Sequence, residues 1–199
     1  MKHDMPSGFS AVVIGGSAGS LDALLTIVER MPPGFPVPLV VVVHTPKDSP
    51  SGLVGALAPR SALAVREPED KEPIAGGVVF VAPSGYHLLV DSGPCFAFSL
   101  APPEKFSQPS IDVLFESAAD VFGERLIGII LSGANDDGAA GLAAICRAGG
   151  LALVQAPDEA VSAAMPRAAL ASCPDAEAAE VRVIAEKLVS IVGKSAVQT

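Results

Sequence analysis

Tryptophan is absent from the 199 residues, tyrosine occurs once, and aromatics make up 5% of the chain. A core must therefore be built from Ala, Val, Leu and Ile rather than from rings. Charge is sparse as well, at 18%, against about 25% for an average soluble domain. Half of the residues are hydrophobic, so a sizeable core can be buried and a disordered chain is excluded. Lys and Arg form no cluster and the net charge is −9, which leaves no basic face for a nucleic acid. The three cysteines, Cys95, Cys146 and Cys173, stand apart without CxxC spacing. That pattern gives little support to a zinc site or redox pair, so no metal is expected. An odd count without a signal peptide reads as reduced, structural thiols in a cytoplasmic protein. The longest apolar run, residues 37–43, is interrupted by Pro38 and falls far short of the ~20 residues that a membrane helix needs. Membrane insertion is not expected.

What is present is an alternation of apolar runs and helical periods. Residues 11–14, 39–43, 126–131 and 151–154 are short β-rich runs of the kind found in buried parallel strands. Between and after them, helical spacing marks residues 21–30, 111–121, 137–148 and 163–171, with an amphipathic helix over 176–192. A further helix over 51–58 is opened by the cap-like Asp48-Ser49-Pro50. Residues 64–66, 78–81, 87–90 and 96–100 are short strands divided by Gly, Pro and Asp, and they read as an antiparallel insert. The expected fold is α/β: a doubly wound, mainly parallel sheet with helices on both faces and a short antiparallel insert. One domain is expected over residues 11–193, with tails at 1–10 and 194–199.

In such a sheet, the loops after the strands converge on one edge, where ligands bind. Three of these loops carry reactive side chains. Gly15-Gly16-Ser17-Ala18-Gly19 leads from a strand into a helix, and its glycines permit a tight turn and close backbone approach. Ser17 would stand exposed there near free amides, as a nucleophile requires. The same turn also suits a phosphate or a plain helix cap, although it lacks both GxGxxG and the P-loop lysine. His44 closes the second strand and is the candidate general base. His87, at a turn in the insert, is the runner-up, and His3 lies near the terminus. Asp137 lies in the glycine-containing stretch Leu131 to Gly141, where a carboxylate can orient an imidazole or simply cap a helix. Together, the three loops favour a Ser-His-Asp hydrolase over any of their separate readings. The order Ser, His, Asp departs from the Ser, acid, His order of the α/β-hydrolases.

Those segments resemble the catalytic domain of the chemotaxis receptor methylesterases, the CheB family. The family's I-G-A-S-T-G-G resembles Ile14 to Ser20, and its Q-H-M-P is similar to Val43-His44-Thr45-Pro46. Its I-A-P-G-x-x-H resembles Val81 to His87, and its R-P-S-V-D-x-L-F is similar to Gln108 to Phe115. Its L-T-G-M-G-x-D-G-A-x-G resembles Leu131 to Gly141, and a late M-P-R matches Met165-Pro166-Arg167. The resemblance implies a triad of Ser17, His44 and Asp137, no cofactor, and hydrolysis of glutamate γ-methyl esters on chemoreceptors or receptor-like proteins, with glutamine deamidation alongside. Within that reading, Ala18 and Ala134 are the oxyanion candidates, and Gly16, Gln108 and His87 are further oxyanion or substrate-binding candidates. The departures are Ala18 for Thr, Ser20 for Gly, Ala134 for Met, Asn135 for Gly and Gln108 for Arg. They motivate two alternatives: a weakly catalytic module that docks a methyltransferase or sensor kinase, and a small-molecule esterase. The family's receiver domain has no counterpart in this sequence, so control by an attached phosphorylated domain is not expected.

Overall fold

The apolar runs form a seven-stranded sheet in a computed structural model that describes residues 8–44 and 52–195, with side chains described as far as residue 192. Its strands are β1 (Ala11–Gly16), β2 (Leu39–Val43), β3 (Ala64–Arg66), β4 (Val78–Val81), β7 (Leu126–Ile130), β8 (Leu151–Gln155) and β9 (Glu177–Ala179). They lie in the order β3-β4-β2-β1-β7-β8-β9, and every pair is parallel. A separate antiparallel ribbon pairs β5 (His87–Asp91) with β6 (Cys95–Ser99).

Strand residues alternate between two apolar layers, as the period of two requires. Val12, Ile14, Leu39, Val41, Ile127 and Ile129 face one layer, which is closed by α1 (Leu21–Arg30) and α6 (Val181–Ser195). Leu24, Ile27 and Val28 of α1 and Ile184, Ala185 and Leu188 of α6 supply its helical side at i, i+3/i+4 spacing. Ala11, Val13, Val40, Val42, Ile130 and Val154 face the other layer, under α3 (Ile111–Phe122), α4 (Ala139–Arg147) and α5 (Ala164–Ser172). The ribbon packs here too, through Leu88, Val90 and Phe96. The remaining helix, α2, covers Gly52–Leu57.

The expected doubly wound sheet is present, with three corrections. First, β3 and β4 belong to the parallel sheet, so the antiparallel insert is the β5–β6 ribbon alone. Short runs divided by Gly and Pro look alike in both settings, and only the pairing partner separates them. Second, residues 176–192 are not one helix: Glu177–Ala179 form the edge strand β9 beside β8, and α6 starts at Val181. Glu and Ala favour helix intrinsically, and the exposed ladder edge of β8 overrides that weak preference. Third, Cys146 and Cys173 are not separate thiols. They lie at the C-terminal ends of α4 and α5 and are joined by a disulfide, with Cα atoms 6.4 Å apart. Their separation along the chain concealed this contact, and Cys95 is free. The expected cap Asp48-Ser49-Pro50 lies outside the described residues.

Helices α3 and α4 meet through Gly141. A Cβ added there would come within 2.5 Å of Phe115 Cβ and 3.1 Å of the Asp112 backbone, neither of which is a flexible side-chain end. The Gly141→Ala variant is expected to lose about 1–3 kcal/mol of stability despite its better helix propensity. Urea unfolding of the two proteins measures the difference.

Candidate active site

Strand order reverses direction around β1: the chain builds outward through β2 and β4 on one side, then returns to β7 and β8 on the other. The crevice for a ligand lies at the carboxyl ends of the strands at such a reversal. Ser17 follows β1, His44 follows β2 and Asp137 lies in the loop after β7, so all three candidates reach this crevice.

The His44 amide donates to the Gly16 carbonyl at 3.1 Å, extending the β1–β2 ladder to the residue beside Ser17. Adjacent strands lie about 5 Å apart, so this register sets Ser17 and His44 side by side at the strand ends. The turn itself is held from below. The Ser17 amide donates to Ser132 O at 2.9 Å, and the Ser132 hydroxyl donates to Ala18 O at 2.7 Å. The Ser132 amide in turn donates to the buried Gln155 Oε1 at 2.8 Å. Ser132 and Gln155 were not among the expected site residues; a hydroxyl in a strand-end loop gives no signal of which turn it will brace. Of the glycines in the turn, only Gly19 takes positive φ (76°), while Gly15 and Gly16 remain strand. Their role is proximity: a Cβ on Gly15 would strike Ile111, and one on Gly16 would strike Ser20. The Ser17 hydroxyl makes no hydrogen bond among the described residues.

Asp137 is fully buried, yet its carboxylate is saturated with donors. Oδ2 lies 2.7 Å from His44 Nε2 and accepts from the Ile111 amide at 2.8 Å. Oδ1 accepts from Ser110 Oγ at 2.9 Å and the Asp112 amide at 3.1 Å. Burial alone would raise its pKa, but the hydrogen bonds from His44, Ile111, Asp112 and Ser110 outweigh burial and hold the carboxyl below its ordinary value. An ionised carboxylate only accepts, so His44 carries its proton on Nε2, and Nδ1 is the basic nitrogen. Nδ1 faces Ser107 Oγ at 3.2 Å.

The expected helix over 137–148 begins later, at Ala139. Gly138 takes a left-handed conformation (φ 96°) and Asp137 turns inward. Asp112 returns the interaction: it accepts from the Gly138 and Gly141 amides at 2.9 and 2.8 Å, in the first turn of α4. Lys105 Nζ reaches Asp112 at 2.9 Å and Asp136 at 3.3 Å. Burial tends to lower the Lys105 pKa, but these two acids outweigh it and hold it above its ordinary value.

The remaining candidates divide. Ala18 and Ala134 are exposed at the crevice, and their amides donate to nothing among the described residues. Gly16 lies under the turn, with its carbonyl taken by His44. Gln108 is half-buried and donates to Ala101 O at 2.8 Å. His87 is buried with both ring nitrogens engaged, Nε2 with Pro102 O at 3.0 Å and Nδ1 with the Ser110 amide at 3.2 Å. It braces α3 and has no nitrogen left to act as a base. Among the described residues no group of His, Cys, Asp and Glu is arranged to hold a metal ion.

A strand-end serine on a glycine turn, beside a histidine bonded to a buried aspartate, is the constellation of a serine hydrolase carried on a parallel α/β sheet. Comparison with known proteins narrows the class. Residues 12–188 match the model of the CheB methylesterase family, and the chain belongs to that family. It is 46% identical over 162 residues to a putative protein-glutamate methylesterase/protein-glutamine glutaminase of Leptospira interrogans, covering 81% of this chain and 84% of that protein. It is 38% identical over 183 residues to a protein-glutamate methylesterase/protein-glutamine glutaminase of Symbiobacterium thermophilum, covering 92% of this chain and 51% of that protein. The chain thus spans about half the length of that second relative. The crystal structure of the Thermotoga maritima CheB methylesterase catalytic domain superposes with a TM-score of 0.88 at 30% identity, covering 94% of this chain and all of that one.

The depressed Asp137 pKa has a stability consequence. The unfolded chain binds this proton more readily than the native state, so stability rises with pH across the interval between the folded and unfolded values. The Asp137 contribution is full above the ordinary carboxylate value near ~3.9 and is lost as pH falls through the lower folded value. Urea unfolding of the parent and Asp137→Asn is expected to differ most near neutrality and to converge in acid.

Proposed function

We propose that the chain is a serine esterase that hydrolyses glutamate γ-methyl esters on a methylated chemoreceptor or receptor-like protein, with Ser17, His44 and Asp137 as its triad. The observation that carries this reading is the 2.7 Å bond from His44 to the buried Asp137, next to the Ser17 turn. His44 Nδ1 removes the Ser17 proton as Oγ attacks the ester carbonyl. The tetrahedral oxyanion is received by the free amides of Ala18 and Ala134. His44 returns the proton to the departing methanol, and water then hydrolyses the acyl-enzyme to release glutamate and restore Ser17. With a glutamine side chain, the same steps release ammonia, which accounts for the paired activities in the relatives' names. No step calls for a metal or organic cofactor.

Gln108 and the exposed Ala134 rim the crevice in this reading and bear on substrate choice. No helix among the described residues is long and apolar enough to cross a membrane. We place the chain in the cytoplasm, where a receptor's methylated segments would be reached.

The test is methanol release from a radiolabelled methylated receptor by the parent and by Ser17→Ala. The variant is expected to fall by at least about 10³-fold. Equal release from both overturns the serine mechanism. Release from neither supports the alternative of a docking module for a methyltransferase or sensor kinase, and cleavage of small esters alone supports a small-molecule esterase.

A further inference from the structure

The basic nitrogen of His44 already has a partner, and it is not Ser17. Saturation of Asp137 puts the imidazole proton on Nε2, so Nδ1 offers a single in-plane lone pair. Ser107 Oγ lies 3.2 Å from that nitrogen, while the Ser17 hydroxyl has no partner among the described residues. Ser107 is also held firmly. Residues 104–107 form a tight turn closed by two backbone hydrogen bonds, Ser107 N to Glu104 O at 2.7 Å and Glu104 N to Ser107 O at 3.1 Å. Both central residues, Lys105 (φ 46°) and Phe106 (φ 66°), take the left-handed conformation that side chains disfavour. Such backbone persists only where its surroundings over-determine it. Here the Lys105 ammonium is clasped by Asp112, which also caps α4, and by Asp136, next to the triad acid. The turn is therefore tied to the start of α3, which holds Asp137, and to the loop that carries Asp137.

We infer that Ser107 is the resting partner of the base: its hydroxyl occupies His44 Nδ1, and Ser17 must displace it before its own proton can be removed. The 3.2 Å separation is long for a hydroxyl hydrogen bond, so the occupancy is a modest one that a docking substrate can reverse. Ser107 is thus a positioning residue, acting on catalysis only through His44. The inference rests on the triad reading above.

The two are separable by one experiment on the full chain, reacting the parent, Ser17→Ala, Ser107→Ala and Ser107→Thr with a fluorophosphonate probe and following serine labelling. Loss of one neutral hydrogen bond that competes with Ser17 is expected to make Ser107→Ala react about two- to tenfold faster. Ser107→Thr restores the hydroxyl and with it the slower rate. Ser107→Ala labelling at the parent rate or more slowly overturns the inference. Undiminished labelling of Ser17→Ala overturns the triad instead. A second readout needs no reaction: two-bond ¹H–¹⁵N correlation spectra of the His44 ring. Ser107→Ala should move the Nδ1 resonance toward that of an unbonded imidazole nitrogen and leave the proton on Nε2. An unmoved Nδ1 resonance also overturns the inference.

Discussion

The buried Asp137 carboxylate is the constraint on which the rest of the site depends. An ionised carboxylate without solvent is costly unless every lone pair finds a donor. Asp137 finds four, from two parts of the chain: His44 at the end of β2, and the Ser110 hydroxyl and the Ile111 and Asp112 amides at the start of α3. The first amides of a helix are orphan donors, and a negative charge is favourable beside them. The acid bonded to the imidazole therefore also takes the first amides of α3, beside its N-cap Ser110. Asp112 does the converse for α4 through the Gly138 and Gly141 amides. Two carboxylates thus cap each other's helices, and the loop between β7 and α4 cannot move without breaking both sets of bonds.

The Ser17 side is built differently. No charge fixes the Ser17 turn. Ser132 ties the Ser17 amide and the Ala18 carbonyl, and Gln155 ties Ser132, all below the crevice. Among the described residues, these neutral bonds leave the Ser17 hydroxyl unengaged and the Ala18 amide without an acceptor. One half of the site is thus rigid through buried charge, and the other is rigid through backbone bracing that keeps its reactive atoms free. His44 bridges the halves, with one ring nitrogen committed to Asp137 and the other available to hydroxyls.

The parts of this arrangement differ in how plainly they are written along the chain. The strands at residues 11–14, 39–43 and 126–131, and the helix at 21–30, declare themselves because a period of two or 3.6 repeats within a few residues. The triad candidates were legible for a related reason: each follows a strand, and parallel strands deliver their ends to one edge. Edge strand β9 was not legible, since Glu-Ala-Ala carries no β signal and only the open ladder of β8 recruits it. His87 read along the chain as a structural turn histidine first and a base second, and its two ring nitrogens are both engaged, with Pro102 O and the Ser110 amide.

Local pattern and motif by themselves determined the parallel α/β class, the strand-end placement of Ser17, His44 and Asp137, and the kinship with the methylesterases. These follow from periodicity and residue order, which short stretches of chain contain in full. Tertiary structure alone decided which ring nitrogen of His44 meets Asp137, that Asp112 and Asp137 exchange caps, that Ser132 braces the Ser17 turn, that Cys146 meets Cys173, and that Ser107 stands at the other ring nitrogen. Each is a contact between residues distant in sequence, whose geometry depends on how the loops settle over the finished sheet. No local propensity encodes it.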